Sequence, residues 1–376
     1  MSKISAIIFS SLNKNTLSRL TSSRTVAAIP FACRYRLIDF CISNLVNARI
    51  SDISIVANYN YQSLLRHIGS GKDFDLARSS GGINFVSPFQ CIGDISEAKM
   101  FSTHLEALKS MSGYINESES EYFILMDSDT VLNLDLNAVV ASLEEACADI
   151  TFVTKLIDEQ FTSKNPRLMF RTENNIIVDA SMSSRFDNKR PEMSIGIIVV
   201  RRLFLCKLIE DAIAHNYSSL TQFILRNFNK GGFYSYEFKG FCATVSSFLD
   251  YYKYSMELVN NSEARNTLLG NSSSSVYTKI HNSAPKYYKK GAEVKNSILA
   301  DEEYIEGTII NSVIFRGVVI ESGAIVKNSI LFHGTHVAKG AKLNCIVTDK
   351  DVYITENTEL SGSENMPFYV QKGRKV

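Results

Sequence analysis

The sequence predicts an α/β domain with a mostly parallel sheet, then a polar linker, then a parallel β-helix. Three observations carry this. Short apolar runs alternate with amphipathic helical patterns up to about residue 250. The composition turns polar between residues 260 and 275, which contain Asn-Asn-Ser and Gly-Asn-Ser-Ser-Ser-Ser. Beyond it, glycine-led segments recur, starting at Gly291, Gly307, Gly323 and Gly340, with spacings of 16, 16 and 17 residues.

Taken in order, the run Ile4–Phe9 reads as a buried parallel strand. Residues 53–57, 122–126, 150–155 and 195–200 repeat the pattern, and the 122–126 run leads at once into Asp127-Ser128-Asp129. Ala98, Phe101, Leu105 and Leu108 lie three and four apart, on one face of a helix. Residues 138–148 and 203–214 read the same way. Pro285 closes the linker. The domain boundaries are therefore 1–258 for the α/β domain, 259–284 for the linker and 285–376 for the β-helix.

A period of 16 to 17 residues suits one turn of a triangular coil with three sides of about six residues. Each glycine fits a tight corner. Ile298, Val313, Ile330 and Ile346 are expected to stack inside about four coils, and Asn296, Asn311, Asn328 and Asn344 to form a ladder at one corner. A plain antiparallel meander explains four matched copies less well.

Composition narrows the function classes. Of 376 residues, 45% are hydrophobic and 21% charged; Lys+Arg is 40 and Asp+Glu 39, a net charge of +1. That argues against a basic nucleic-acid binder and against an acidic tail. The seven cysteines form no Cys-x-x-Cys pair and read as reduced thiols. With no signal-peptide pattern at the start and no run of about 18 apolar residues, a cytoplasmic location is expected.

Residues 34–50, RYRLIDFCISNLVNARI, resemble the K-Y-R-I-I-D-F-x-L-S-N-x-x-N-S-G-I segment of the glucose-1-phosphate adenylyltransferase (ADP-glucose pyrophosphorylase) family. Residues 67–76, HIGSGKDFDL, resemble its H-I-G-x-G-x-x-W-D-L, and residues 80–88 continue the likeness. The resemblance spans nearly the whole chain. It implies a Rossmann-like nucleotidyltransferase domain with a mostly parallel mixed sheet and a C-terminal left-handed β-helix.

The reaction of that family is attack of glucose 1-phosphate on the α-phosphate of ATP, with pyrophosphate leaving. Such a site needs backbone N–H groups, cations and Mg²⁺ directed at the phosphoryl oxygens. The family's G-G-x-G-[ST]-R-L loop is replaced here. Ser11 and Leu12 stand at the paired glycines, Lys14 at the third, and Thr16 at the catalytic Arg. Val26 replaces a phosphate-contacting Lys, and Thr244 a metal-binding Asp. The family's G-T-A near residues 96–98 and its E-K-P within 176–185 are absent. Asp129 matches a surviving metal ligand, and Ser194 and Gly196 fall in a sugar-side S-M-G-I-like segment, so these three mark a vestigial pocket.

The resemblance therefore points to the GlgD-type, non-catalytic regulatory subunit, with no catalytic residues of its own and with Mg²⁺ expected only in a catalytic partner. A heterotetramer with that partner, in bacterial glycogen synthesis, is the implied assembly. Arg24, Arg34 and Arg36 are candidates for a phosphorylated effector. The alternative for Arg36 is an ion pair with Asp39; for Asp127 and Asp129, it is exposed acids capping the next turn of chain. Residues 251–254 read as a helix face packed on the linker. Two other functions stay open: weak adenylyltransferase activity through Asp129, and a β-helix acyltransferase using His333 or His336.

Overall fold

The computed structural model describes residues 3–10, 17–77, 81–87, 100–157, 166–183, 191–270 and 274–376. Ser11, Leu12, Lys14 and Thr16 of the phosphate loop lie outside the described residues, as do residues 96–98 and 184–185.

Besides a short ribbon of Pro30–Phe31 with Tyr35–Arg36, the described strands of the first domain are β1 (Ile4–Phe9), β2 (Asp52–Val56), β3 (Gly82–Val86), β4 (Tyr122–Asp127), β5 (Thr130–Leu132), β6 (Ile150–Leu156), β7 (Arg167–Glu173), β8 (Ile176–Ser183), β9 (Glu192–Arg201), β10 (Phe233–Glu237) and β11 (Cys242–Thr244). Nine of them form one sheet in the order β3-β2-β1-β4-β9-β6-β10-β8-β7. The half from β3 to β4 is parallel, and its residues are near-continuous Ile, Val and Leu because helices cover both faces. β9 runs antiparallel to both β4 and β6, so the sheet is mixed. β5 and β11 form a separate antiparallel ribbon beyond the end of β4.

The helices that bear on the site are α1 (Leu37–Asn47), α2 (Gln62–Ile68), α3 (His104–Ser110), α4 (Leu136–Glu145), α5 (Phe248–Asn260) and α6 (Ser262–Leu269). Asp135 caps α4, its carboxylate accepting from the Asn137 N–H at 3.0 Å. The polar stretch expected as linker is helical in its first part. α5 continues to Asn260, and Asn261 caps α6 by accepting from the N–H groups of Glu263 and Ala264. Among the described residues no helix is long and apolar enough to cross a membrane. The described cysteines are unpaired; Cys33, Cys41, Cys242 and Cys345 are buried and Cys147 is exposed.

Residues 287–370 form the left-handed β-helix, with three parallel five-stranded sheets as its sides. It has five rungs rather than four. The fifth runs from Tyr353–Ile354 through Glu359–Ser361 to Phe368–Val370 and lacks the glycine-led repeat. The asparagine ladder is present: Asn296 donates to Asn311 at 3.0 Å, Asn311 to Asn328 at 2.6 Å, and Asn328 to Asn344 at 3.0 Å. Gly307 is needed for close approach, since a Cβ there would lie 2.4 Å from the Ala324 carbonyl oxygen.

The stacking register differs from the sequence expectation in two ways. Ile330 pairs with Val347, not Ile346, because the last repeat has 17 residues and Cys345 takes the positive-φ corner that Asn328 holds one rung earlier. The column Val313, Ile330 and Val347 also points out of the coil. It packs with Phe31, Tyr251 and Tyr252 of the first domain in one buried cluster, with Ile298 beside it. The interior holds Ile314, Leu331 and Ile346 instead. The tyrosines of α5 therefore pack on the β-helix rather than on the linker: Tyr252 donates to the Asn328 carbonyl at 2.7 Å, and the Tyr251 ring meets Phe332 edge-on. This apolar seam holds the two domains together.

Candidate functional site

Two places carry charged groups beyond what folding requires: the ends of β1 and β4, and a cleft between the domains.

At the first, β4 ends in Asp127 and the chain turns through Ser128 and Asp129 into β5. Asp127 accepts a hydrogen bond from His104 of α3 at 2.5 Å, and Phe9 meets the same imidazole edge-on. Asp127 thus serves neither as a free ligand nor as a cap. Burial alone would lower the His104 pKa, but Asp127, with help from Asp129, raises it above the ordinary histidine value. Gly196 faces Asp127 from β9: a Cβ there would lie 2.8 Å from the Asp127 Oδ2, and its φ of 78° suits glycine. Ser194 stands two residues away, paired with Thr154 across a bulge in β9.

Asp129 is half-buried. Burial first and the Asp127 charge second push its carboxyl up to about 6, against the opposing pull of Arg167 and His104. Its carbonyl accepts from the Val245 N–H at 2.7 Å, and Thr244 pairs with Thr130 on the ribbon. Thr244 is therefore beside Asp129, where the family pattern has its second acid. Val26 is buried in a short 3₁₀ turn that docks on the end of β1, the Ala27 N–H donating to the Ser10 carbonyl at 3.2 Å. Mg²⁺ requires several hard oxygen donors. Here one carboxylate is tied to an imidazole, the other is pushed by burial toward its neutral form, and the third candidate is a hydroxyl, so the donor set does not fit the ion. His104 and Arg167 have no motif around them, and sequence reading missed both.

The second place is a cavity of about 510 Å³ where the first domain meets the linker and the β-helix. Arg24, Arg34 and Arg36 all line it, so the structure brings these three candidates together. It adds five cations that sequence reading missed: Arg66, Lys279, Arg316, Lys350 and Lys372. Among the described residues Glu302 is the only acid in the lining.

Each of the three arginines is also structurally engaged. Arg24 is buried and pairs with Asp349 of the β-helix at 2.5 Å; Tyr369 donates to the other carboxylate oxygen at 2.7 Å. The Nη1 of Arg24 is buried with no hydrogen-bond partner. Arg34 pairs with Asp301 at 2.9 Å on the surface. Arg36 sends its guanidinium to the Ser63 carbonyl at 2.7 Å, not to Asp39; only its backbone N–H reaches Asp39. Burial, joined by the nearby Arg24, Arg66 and Arg316, lowers Arg36 to about 10, which leaves it charged.

The polar face of α1 explains why its segment reads so distinctively. The Asp39 carboxylate binds His67 at 2.5 Å and accepts from Thr278 at 2.6 Å. Ser43 accepts from the Tyr277 N–H, Asn47 donates to the Ser275 carbonyl, and Asn44 bonds the Leu132 carbonyl and the Leu134 N–H. These residues strap the linker onto the first domain and fix the wall of the cleft. None of them reaches the carboxylates at the end of β4.

The comparisons with known proteins agree with this architecture. A nucleotidyl transferase family model matches residues 7–164, and a GlmU-like C-terminal hexapeptide model matches residues 281–365. The glycogen biosynthesis protein GlgD of Bacillus subtilis (strain 168) is 29% identical over 363 residues, covering 96% of this chain and 93% of its own. The glucose-1-phosphate adenylyltransferase of Mycoplasma mobile is 27% identical over 329 residues, covering 86% and 84%. That of Bacillus cereus (strain ATCC 10987 / NRS 248) is 25% identical over 370 residues, covering 97% and 96%. With the two-domain fold and the 34–50 segment, these near full-length matches make the chain similar to GlgD and to the glucose-1-phosphate adenylyltransferases, with a nucleotidyl transferase domain ahead of a hexapeptide-repeat domain.

Proposed function

We propose that this chain is a catalytically impaired, regulatory subunit of glucose-1-phosphate adenylyltransferase in bacterial glycogen biosynthesis. It modulates a partner that makes ADP-glucose and pyrophosphate from ATP and glucose 1-phosphate. The observation that carries this reading is the pairing of Thr244 with Thr130 beside Asp129, which puts a hydroxyl where the resembling pattern has its second acid. Val26 and the substituted loop at Ser11, Leu12 and Thr16 remove further phosphate contacts. Removal of one transition-state donor costs about 3–4 kcal/mol in well-studied enzymes, and such losses do not add cleanly.

The intact part of the molecule is the interdomain cleft, and its cations suit a phosphorylated small-molecule effector. For the partner, the first rung of the β-helix offers a surface. Its strands Tyr287–Tyr288, Glu293–Lys295 and Ile298–Leu299 each pair on one side only. Tyr287 and Tyr288 are exposed there. At the other end, residues 374–376 cover the last rung through bonds such as Tyr353 N–H to the Arg374 carbonyl at 2.9 Å. An open rung is an edge that another subunit can cover.

The test is co-expression with a catalytic subunit, then gel filtration and kinetics. The reading expects a mixed oligomer whose maximal rate or effector response differs from that of the catalytic subunit alone. No mixed oligomer, or one with unchanged kinetics, would refute it.

A further inference from the structure

One cation of the cleft, Lys350, stands among other positive charges with no free carboxylate beside it. Lys350 projects from the corner after the fourth rung, half-buried, with no carboxylate in ion-pair range among the described residues. The nearest acid, Asp349, is already committed: its carboxylate takes Arg24, the Tyr369 hydroxyl and the Lys350 backbone N–H. Facing Lys350 are Arg24 and Arg36 from the first domain and Lys372 from the C-terminal segment. The rest of the wall carries Lys279 and His281 of the linker, Arg316 and His333 of the β-helix, and Arg34, Arg66 and the Asp39-bound His67 of the first domain. Glu302 is the lone acid against them among the described residues. An ammonium held among cations, partly out of water, is the group in the cleft most readily neutralised by losing its proton.

We infer that an anion entering this cleft is bound together with a proton taken up by Lys350, so that effector occupancy is itself pH-dependent. This rests on the cleft being the effector site, as proposed above. Before binding, burial and then the charges of Arg36 and Arg24 lower Lys350 to about 8. A bound anion supplies the counter-charge that Asp349 cannot, and returns the ammonium toward the ordinary lysine value. Below pH 8 the lysine is charged with or without ligand, and affinity is flat. Above pH 8 each binding event must add a proton, and affinity falls. Arg36 stays charged throughout, and in the empty cleft burial with Arg316 and Lys279 lowers His281 to about 4.

The probe is inorganic sulfate, which does not titrate here, added to the full-length protein. Sulfate affinity is measured by calorimetry from pH 7 to 9 in buffers of differing ionisation enthalpy, and Lys350 reactivity by competitive acetylation read by mass spectrometry. Expected are a loss of affinity of about tenfold between pH 7 and 9 and uptake approaching one proton at pH 9. The acetylation midpoint of Lys350 should move upward with sulfate. Lys350→Arg should still bind at pH 9 and show no proton uptake. Sulfate binding with flat affinity and no uptake would overturn the proton linkage while leaving the cleft as an anion site. No sulfate binding at any pH would overturn the cleft reading and the linkage with it.

Discussion

The end of β4 and the interdomain cleft are built with opposite electrostatic logic. At the end of β4 Asp127 is tied to His104 by a hydrogen bond, and the charge of Arg167 offsets part of what burial and Asp127 do to Asp129. In the cleft Arg24 pairs with Asp349 and Arg34 with Asp301, while the six other Lys and Arg side chains of the described lining have no ion pair, and the buried Nη1 of Arg24 has no partner. Self-compensated charges need no ligand. Uncompensated ones lower the stability of the empty protein and are stabilised by an anion. The proposed function accordingly seats anion binding at the domain junction rather than at the strand ends.

The largest expected effects lie on the junction side of that contrast. Arg24→Ala leaves Asp349 buried and unpaired between the domains, and should cost about 3–5 kcal/mol, read as a lowered urea midpoint. Val313→Asp places a charge in the apolar seam with Tyr251 and Phe31. Because Val313 points out of the coil, the β-helix should keep its far-UV signature while limited proteolysis separates the domains. Loss of the β-signature itself would contradict this placement.

A smaller effect concerns a buried acid near the cleft. Glu303 occupies the interior corner where later rungs have Val318, Thr335 and Val352, and neither carboxylate oxygen has a partner. Burial raises its carboxyl from 4.5 to about 7, with Lys286 offsetting part of the shift. A raised acid pKa means stability is present below the unfolded value of 4.5 and is lost as pH rises to 7. Glu303→Gln should therefore stabilise the protein by roughly 3 kcal/mol at pH 8, with the gain vanishing near pH 4.5. An equal gain at both pH values would count against the assignment. Smallest of all, Tyr252→Phe removes the bond to the Asn328 carbonyl and should cost about 1 kcal/mol.

Much of the fold was legible because periodicity reports it directly. The 16-residue spacing announced the coil, and the asparagines announced its ladder. What periodicity could not report was which apolar column faces outward. Val313 and Ile314 are both apolar, as are Ile330 and Leu331, because one face fills the coil and the other packs on α5. The fifth rung escaped because residues 362–367 interrupt it and no glycine leads it. The site was legible only where a motif surrounds it. Arg24, Arg34 and Arg36 lie within one segment, whereas Lys279, Arg316, Lys350 and Lys372 converge on them only through domain docking. His104 and Arg167 were likewise invisible, since the bond of His104 to Asp127 and the charge Arg167 brings toward Asp129 depend on where α3 and β7 land.

The central claim is that the strand-end site has lost its chemistry, and ADP-glucose formation by the purified chain alone tests it most directly. With saturating ATP, glucose 1-phosphate and Mg²⁺, the expected turnover is at least about 10²–10³-fold below that of a catalytic subunit measured alongside. Thr244→Asp should leave it there, since Val26 and the substituted loop remain. Turnover comparable to the catalytic subunit, or its restoration by Thr244→Asp alone, would contradict the claim.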